Sequence, residues 1–143
     1  MIRLLISSIV VSALAGCASA PPLPQGAAPA MVVVSEEAVR VEEPPPHGKI
    51  GMSTAWRISD AVPARTFEFR KRALHPGSAI GLHPINHDEI YYVLSGEGVV
   101  HSDGEEQVLT SGMAAYLYTG ANVGIRQVGP EPLVLIIAYP PGK

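Results

Sequence analysis

The chain has 143 residues, with 14 glycines, 14 prolines, 47% hydrophobic residues and a formal net charge of −3. This length accommodates one domain of ordinary size. The mildly acidic balance provides no basic face of the kind that binds nucleic acid, so no nucleic acid partner is predicted. The glycine and proline content favours many short strands joined by tight turns over a bundle of helices.

The N-terminus has the layout of an export signal. Arg3 precedes an apolar run over residues 4–14 that is too short to span a bilayer as a helix, and small residues follow it. The sequence Leu-Ala-Gly-Cys, which ends at Cys17, resembles the lipobox of bacterial lipoproteins. The resemblance implies a signal peptide over residues 1–16 and a lipid anchor on Cys17, and Ala18 implies sorting to the outer membrane, facing the periplasm. The alternative is an ordinary signal peptide, or a buried apolar helix that contains a cysteine by chance.

Residues 17–47 are predicted to be a tether rich in proline and alanine. Seven of the fourteen prolines lie between Pro21 and Pro46, and this composition favours extended, polyproline-like chain. Residues 31–41, with the sequence MVVVSEEAVRV, leave two interpretations open. They could add a strand to the edge of the domain or of a partner's sheet, or they could be a loosely ordered apolar patch. His47, at the end of the tether, is predicted to be solvated.

The remainder, residues 48–143, has the pattern of a β-domain. Residues 65–74 alternate phenylalanine with charged side chains, which is the period of a half-buried strand. Residues 89–96 and 132–139 are dense in β-branched, aromatic and other apolar residues, and Asp103-Gly104 between two alternating segments is a strong hairpin signal. Strands at short intervals, without a convincing amphipathic helix between them, predict an all-β sandwich or barrel.

Two motifs in this part resemble those of the cupins, which are small antiparallel β-barrels of the jelly-roll type. The matching positions are Gly77, His83, Glu89 and Gly96 in the first motif and Gly112 and Gly120 in the second. The resemblance covers about residues 65–140. It implies a single cupin-type jelly-roll β-barrel that follows the signal peptide and the tether.

The metal-binding part of this resemblance is incomplete. Cupins that bind a metal usually hold it with three histidines and one glutamate, and of these only His83 and Glu89 stand at their places. Ile85 replaces the second histidine and Val123 the third, while Gln127 stands where the second motif has asparagine. The resemblance therefore implies weak binding of a divalent metal (Fe, Mn or Zn), or none.

His87 adds a further candidate ligand. If residues 83–89 are extended, then His83, His87 and Glu89 face the same way. Two histidines with one carboxylate suit Fe(II) and are acceptable to Mn or Zn. Pro84 and Asn86 favour a loop instead, in which this alternation guarantees nothing. His83 and Glu89 are also candidates for a catalytic acid–base pair that works without a metal.

Other side chains are candidates for the wall of a pocket in the barrel. Strand aromatics usually pack in the core, but a tyrosine in a cavity would supply a hydrogen-bond donor or an acid. The candidates are Tyr91, His101, Tyr116, Tyr118, Val123 and Gln127.

Three functions agree with the sequence. The favoured one is a lipid-anchored periplasmic lipoprotein whose cupin barrel binds a small molecule beside an incomplete metal site. The first alternative is a metal-dependent cupin enzyme, an oxygenase or an isomerase, which uses His83, His87 and Glu89. The second alternative is a scaffold or interaction lipoprotein. Because cupins are often dimers, a homodimer is among the expected partners, together with the membrane and the ligand.

Overall fold

The computed structural model describes residues 29–141. The predicted signal peptide (1–16), the predicted lipidation site Cys17 and residues 18–28 lie outside the described residues. Within residues 29–141, no helix has the length and apolar character needed to cross a membrane.

The described residues form ten strands and two short 3₁₀ helices, Glu36–Val39 and Ile58–Ala61. The strands are β1 (Arg40–Glu43), β2 (Ser53–Trp56), β3 (Glu68–Leu74), β4 (Ala79–Pro84), β5 (Glu89–Ser95), β6 (Glu97–Ser102), β7 (Glu105–Thr110), β8 (Ala114–Leu117), β9 (Asn122–Val128) and β10 (Leu133–Tyr139). They make a six-stranded sheet in the order β1-β2-β3-β10-β5-β8 and a four-stranded sheet in the order β4-β9-β6-β7. The strand pairs are antiparallel, which confirms the predicted all-β jelly roll.

The β6–β7 hairpin shows how local sequence produces this topology. Asp103 and Gly104 both have positive φ, 48° and 93°, as the tight turn of a two-residue hairpin requires. The turn places Ser102 opposite Glu105 and Val100 opposite Gln107. The predicted hairpin is therefore confirmed.

The hydrophobic core lies between the two sheets. On β10, alternate side chains enter it, because successive residues of a strand point to opposite faces. Its members are Leu74, Ile80, Ile85, Tyr91, Val93, Val100, Leu109, Leu117, Ala121, Val123, Ile125, Leu133, Leu135 and Ile137.

The alternation in β3 runs with the charged side chains inward. Glu68 and Arg72 are buried, whereas Phe67 and Phe69 are about half exposed on the outer face of the six-stranded sheet. The predicted strand is present, but its apolar phase points away from the core. Charged groups therefore line one end of the barrel interior.

The folded part begins before residue 48. β1 pairs with β2 at the edge of the six-stranded sheet, with Glu43 opposite Ser53. The Glu43 carboxylate accepts hydrogen bonds from Arg57 and Arg72, and these ion pairs tie β1 to the domain. Of residues 31–41, only the last two belong to this edge strand; residues 36–39 form a 3₁₀ helix and residues 31–35 form no strand. β1 thus lies within the stretch predicted as a tether (17–47), because composition does not reveal such long-range contacts; the domain boundaries stay a prediction.

Candidate functional site

A cavity of about 570 Å³ opens at one end of the barrel. Its wall comes from the ends of β3, β4, β5 and β10 that meet there, from the loop after β4, and from residues ahead of β2. The lining residues are Pro46, His47, Arg70, Arg72, Ile80, His83, Pro84, Ile85, Asn86, His87, Glu89, Tyr91, Ile137 and Tyr139. We call this cavity the mouth pocket.

Glu89 is the acid of the mouth pocket. It is the first residue of β5, its side chain points inward, and it is buried. Burial raises the pKa of Glu89 to about 7, although the nearby Arg70 guanidinium acts in the opposite direction. Near neutral pH this carboxyl is therefore divided between its charged and neutral forms.

His87 stands next to this acid. Its Nδ1 lies 2.9 Å from the Asn86 side-chain oxygen, so Nδ1 carries the proton in that hydrogen bond and Nε2 is an acceptor. Nε2 is buried, has no hydrogen-bond partner among the described atoms, and lies 3.6 Å from Glu89 Oε2. Burial, and then the charge of His83, lowers the pKa of His87. The imidazole ring also stacks on Tyr139, with a centroid distance of 4.4 Å.

His83 is held in a different way. Its Nδ1 lies 2.9 Å from the Gly81 carbonyl oxygen, which leaves Nε2 as the remaining ring nitrogen. The ring stacks on His47 with a centroid distance of 3.5 Å and an interplanar angle of 6°. His47 is exposed, as predicted, but its ring lies against His83 at the mouth. Burial, and then the charge of His83, lowers the pKa of His47.

The predicted metal candidates His83, His87 and Glu89 line the same pocket but do not converge. In the part of the chain that the structure describes, no three histidine, cysteine or acidic side chains are grouped to hold an ion. His87 and Glu89 approach each other, whereas His83 faces His47. The side chains present therefore do not fit a three-ligand metal site as they stand. The catalytic role considered for His83 and Glu89 stays a prediction.

Two apolar residues occupy the places where the resemblance expects histidines. Val123 lies directly opposite His83 in the β4–β9 register, so the two side chains are neighbours on the same face of the four-stranded sheet. Val123 is fully buried, and Ile85 is buried at the pocket wall. Neither side chain has a lone pair to offer.

Two arginines border the pocket, each joined to acidic partners. Arg70 donates to Glu68 at 3.2 Å and to Asp60 at 3.5 Å. Arg72 is buried and donates to Ser53 Oγ at 2.6 Å and to Glu43 at 2.9 Å. The paired carboxylates hold these guanidinium groups in place at the pocket wall. A buried cation without such partners would be strongly destabilising.

Most of the predicted pocket candidates lie elsewhere. Tyr91 lines the mouth pocket, and burial raises its pKa well above the ordinary value. Tyr116 lies opposite Ile90 and so faces outward, because Ile90 alternates with the inward residues of β5. Its hydroxyl donates to Asp88 at 2.6 Å. Tyr118 is exposed beyond the end of β8.

The other candidates also serve the fold. His101 Nε2 accepts a hydrogen bond from the Gly104 amide in the β6–β7 turn. Buried Gln127 accepts from the Gly77 amide and donates to the carbonyls of residues 128, 129 and 131. Val123 belongs to the core beside the pocket rather than to its wall.

Sequence reasoning missed His47, Arg70, Arg72 and Tyr139 as pocket residues. Arg70 and Arg72 share their strand face with Leu74, so the alternation of β3 contained the signal once its buried phase was known. His47 gave no such signal, because its position depends on a distant contact with β4.

The comparisons with known proteins agree with this architecture. Residues 71–139 match the family described as Cupin domain. An oxalate-binding protein of Thermotoga maritima is 37% identical over 66 residues, which are 46% of this chain and 54% of the relative. The match thus spans about half the length of that relative.

Solved structures extend the similarity. The crystal structure of a predicted oxalate decarboxylase from Thermotoga maritima superposes with a TM-score of 0.67 at 26% identity, covering 76% of this chain and 98% of that one. An RmlC-like cupin from Shewanella frigidimarina gives a TM-score of 0.60 at 21% identity, covering 76% and 90%, and shows the fold alone. Residues 71–139 are thus similar to a cupin domain, and these neighbours share its fold.

Proposed function

We propose that this protein is a membrane-anchored cupin lipoprotein that faces the periplasm and binds a small carboxylate-bearing molecule in the mouth pocket. The observation that carries the ligand class is that Arg70 and Arg72 line the same pocket as Glu89, whose pKa is about 7. The similarity to an oxalate-binding protein supports the same class.

The side chains of the pocket suit one small anion. The two guanidinium groups supply positive potential at the wall, although Glu43, Glu68 and Asp60 offset much of it. A protonated Glu89 donates a hydrogen bond to a ligand carboxylate instead of repelling it. An anion is therefore bound best below the pKa of Glu89, and its affinity falls as the pH rises above about 7.

Calorimetric titration with oxalate, malonate and succinate tests this proposal. The native protein should bind at least one of them, with affinity falling tenfold per pH unit well above pH 7, because a carboxylate pKa of about 7 governs the change. Glu89→Gln should keep the binding and lose that pH dependence. Glu106→Gln, on the four-stranded sheet outside the pocket, is the matched control. The absence of binding to all three acids at pH 6 would refute the ligand class.

The proposed anchor rests on the sequence around Cys17. Leu-Ala-Gly-Cys after a basic start and an apolar run supports acylation, and more than one acyl chain holds a protein stably on a membrane. Mass spectrometry of the native protein should show loss of residues 1–16 and a lipid-modified Cys17. An intact N-terminus with an unmodified cysteine would contradict the anchor.

A second copy of the chain is the proposed protein partner, docking on the outer face of the six-stranded sheet. Phe69, Tyr92, Leu94 and Tyr116 are exposed there. In an antiparallel sheet with one face on the core, the other face is ordinarily polar. Lys71 carries a charge on this face and is paired with Glu36.

The size of this face suits a homodimer. Six strands spaced about 4.8 Å apart give a surface of the order needed for about 800 Å² buried per partner. Sedimentation should show a dimer that Phe69→Asp with Tyr92→Asp converts to a monomer, whereas Val108→Asp on the four-stranded sheet leaves it intact. A native monomer at micromolar concentration would contradict this proposal.

A further inference from the structure

Residues 44–49, which we call the strap, cross the mouth of the barrel between β1 and β2. The Pro46 carbonyl accepts a hydrogen bond from the Gly81 amide, and His47 stacks on His83. A Cβ atom built on Gly81 would lie 1.6 Å from the His47 carbonyl oxygen. The strap can therefore rest on β4 only because residue 81 has no side chain.

Both ends of the strap are fixed to the barrel. At its start, Glu43 is held by Arg57 and Arg72, and the Glu43 carbonyl accepts a hydrogen bond from Ser53. At its end, the Ile50 carbonyl accepts a hydrogen bond from the Ala79 amide. Any movement is therefore confined to the few residues between these two anchors.

The middle of the strap has an uncommon backbone conformation. His47, Gly48 and Lys49 are three consecutive residues with positive φ, 57°, 116° and 52°. Such values are unfavourable for side chains other than glycine. The stack of His47 on His83, the Gly81–Pro46 hydrogen bond and the burial of Pro45 oppose relaxation of this strain.

Two cavities border the strap. One is the mouth pocket, and the other is a second cavity of about 470 Å³. Pro46, His47, Arg70 and Arg72 line both cavities. The strap is thus a partition between two spaces, and lifting it joins them while the two arginines remain accessible.

From these contacts we infer that the strap is a movable wall of the mouth pocket and that His47 limits the length of the ligand the pocket admits. This inference rests on the proposed binding of small carboxylates. With the His47 ring on His83, a short acid reaches the arginines and a long one is blocked. With the ring absent or the strap displaced, a longer acid extends into the second cavity.

The test compares linear dicarboxylates from oxalate to suberate by calorimetric titration. The native protein should prefer the short acids to suberate at least tenfold. His47→Ala should gain affinity for suberate and so reduce this preference to less than about threefold. The removal of one steric obstruction from a pocket changes affinity by roughly tenfold or more. Glu106→Gln, on the four-stranded sheet outside the lining of both cavities, should keep the native preference.

Gly81→Ala is a second test of the strap, because the added methyl group displaces the strap while the His47 side chain is retained. It should reproduce the altered preference of His47→Ala. If Gly81→Ala fails to fold, His47→Ala still decides the matter. An unchanged preference in His47→Ala would overturn the inference.

Hydrogen exchange separates this inference from the proposed function, because it needs no ligand. The Gly81 amide donates to the strap, whereas the Ile85 amide donates to the Ala121 carbonyl on the neighbouring loop. Opening of the strap should make the protection factor of the Gly81 amide at least tenfold lower than that of the Ile85 amide. Equal protection of the two amides would show a fixed wall. If the native protein binds no dicarboxylate but the Gly81 amide exchanges quickly, the ligand class fails and the movable strap stands.

Discussion

The two ends of the barrel interior are built from the same strands and have opposite chemistry. At the mouth, the inward side chains of β3, β5 and β10 are polar or aromatic except Ile137; at the closed end of the same strands they are aliphatic. The mouth set is Glu68, Arg70, Arg72, Glu89, Tyr91 and Tyr139, and the closed set is Leu74, Val93, Leu133 and Leu135. The strand alternation is identical at both ends, so the difference is one of side-chain choice.

This difference separates stability from binding within one small core. Each aliphatic side chain at the closed end contributes about 1.5–3 kcal/mol by leaving water. At the mouth, burial of Glu89 and Arg72 costs free energy that their hydrogen bonds and ion pairs offset only in part. We expect substitutions at the closed end to change stability most, and substitutions at the mouth to change pH dependence and binding.

The largest expected effect is at the closed end. Leu135→Ala should lower the free energy of unfolding by about 2–5 kcal/mol, because it removes buried methyl groups and leaves a cavity in a fully packed site. Val108→Ala, at an exposed position of the four-stranded sheet, should change it by less than about 1 kcal/mol. Urea unfolding at pH 6 measures both. Equal losses in the two variants would mean that the core does not lie where the fold places it.

Glu89→Gln at the mouth should raise the free energy of unfolding relative to the native protein, and only at higher pH. The folded-state pKa of about 7 lies above the ordinary value of 4.5. The contribution of Glu89 to stability is therefore fully present below pH 4.5 and is lost as the pH rises through about 7. As the pH rises through this window, the native protein should lose up to about 3 kcal/mol that the glutamine variant retains.

Unfolding free energies at pH 5 and pH 8.5 measure the effect of Glu89→Gln. Glu106→Gln, at an exposed position, is the control and should follow the native protein. A Glu89→Gln variant with the same pH dependence as the native protein would contradict the buried acid.

A smaller effect is expected at the incomplete metal site, where two substitutions should increase the affinity for a divalent metal. Val123→His combined with Ile85→His should raise the affinity for Mn, Fe(II) or Zn at least tenfold, because both positions border His83 at the mouth. Val108→His, on an exposed face, is the control. Calorimetric titration that shows no gain over this control would mean that the two positions do not point toward a shared site.

The smallest expected effect is in the polar network behind the pocket. Ser59 donates a 2.6 Å hydrogen bond to buried Glu68, which Arg65 and Arg70 also hold. Ser59→Ala should therefore cost only about 1.5 kcal/mol, the low end for a hydrogen bond to a charged group, because the two arginines still pair with the carboxylate. Thermal unfolding measures the loss, with the exposed Ser95→Ala as control. A loss of stability in Ser59→Ala as large as that in Leu135→Ala would contradict the expected difference between the mouth and the closed end of the barrel.

Local signals in the sequence predicted much of the fold. Alternation, the Asp103-Gly104 turn and the apolar run of β10 each depend on near neighbours, and the strands and the hairpin that they predict are present. The residues of the candidate site were harder to predict from the sequence. Tyr91 follows from strand alternation, whereas the placement of Tyr118 depends on where β8 ends. His47 depends on a contact with Gly81 across 34 positions of chain, and no local pattern reports such a contact.

The pKa of Glu89 also affects how heats of binding are measured. Near pH 7 this carboxyl carries on average about half a proton, so a ligand that requires one protonation state must take up or release part of a proton. The buffer supplies or absorbs that proton with its own ionisation enthalpy. The apparent enthalpy of binding should therefore differ between phosphate and Tris at the same pH, and the difference counts the protons that the pocket exchanges.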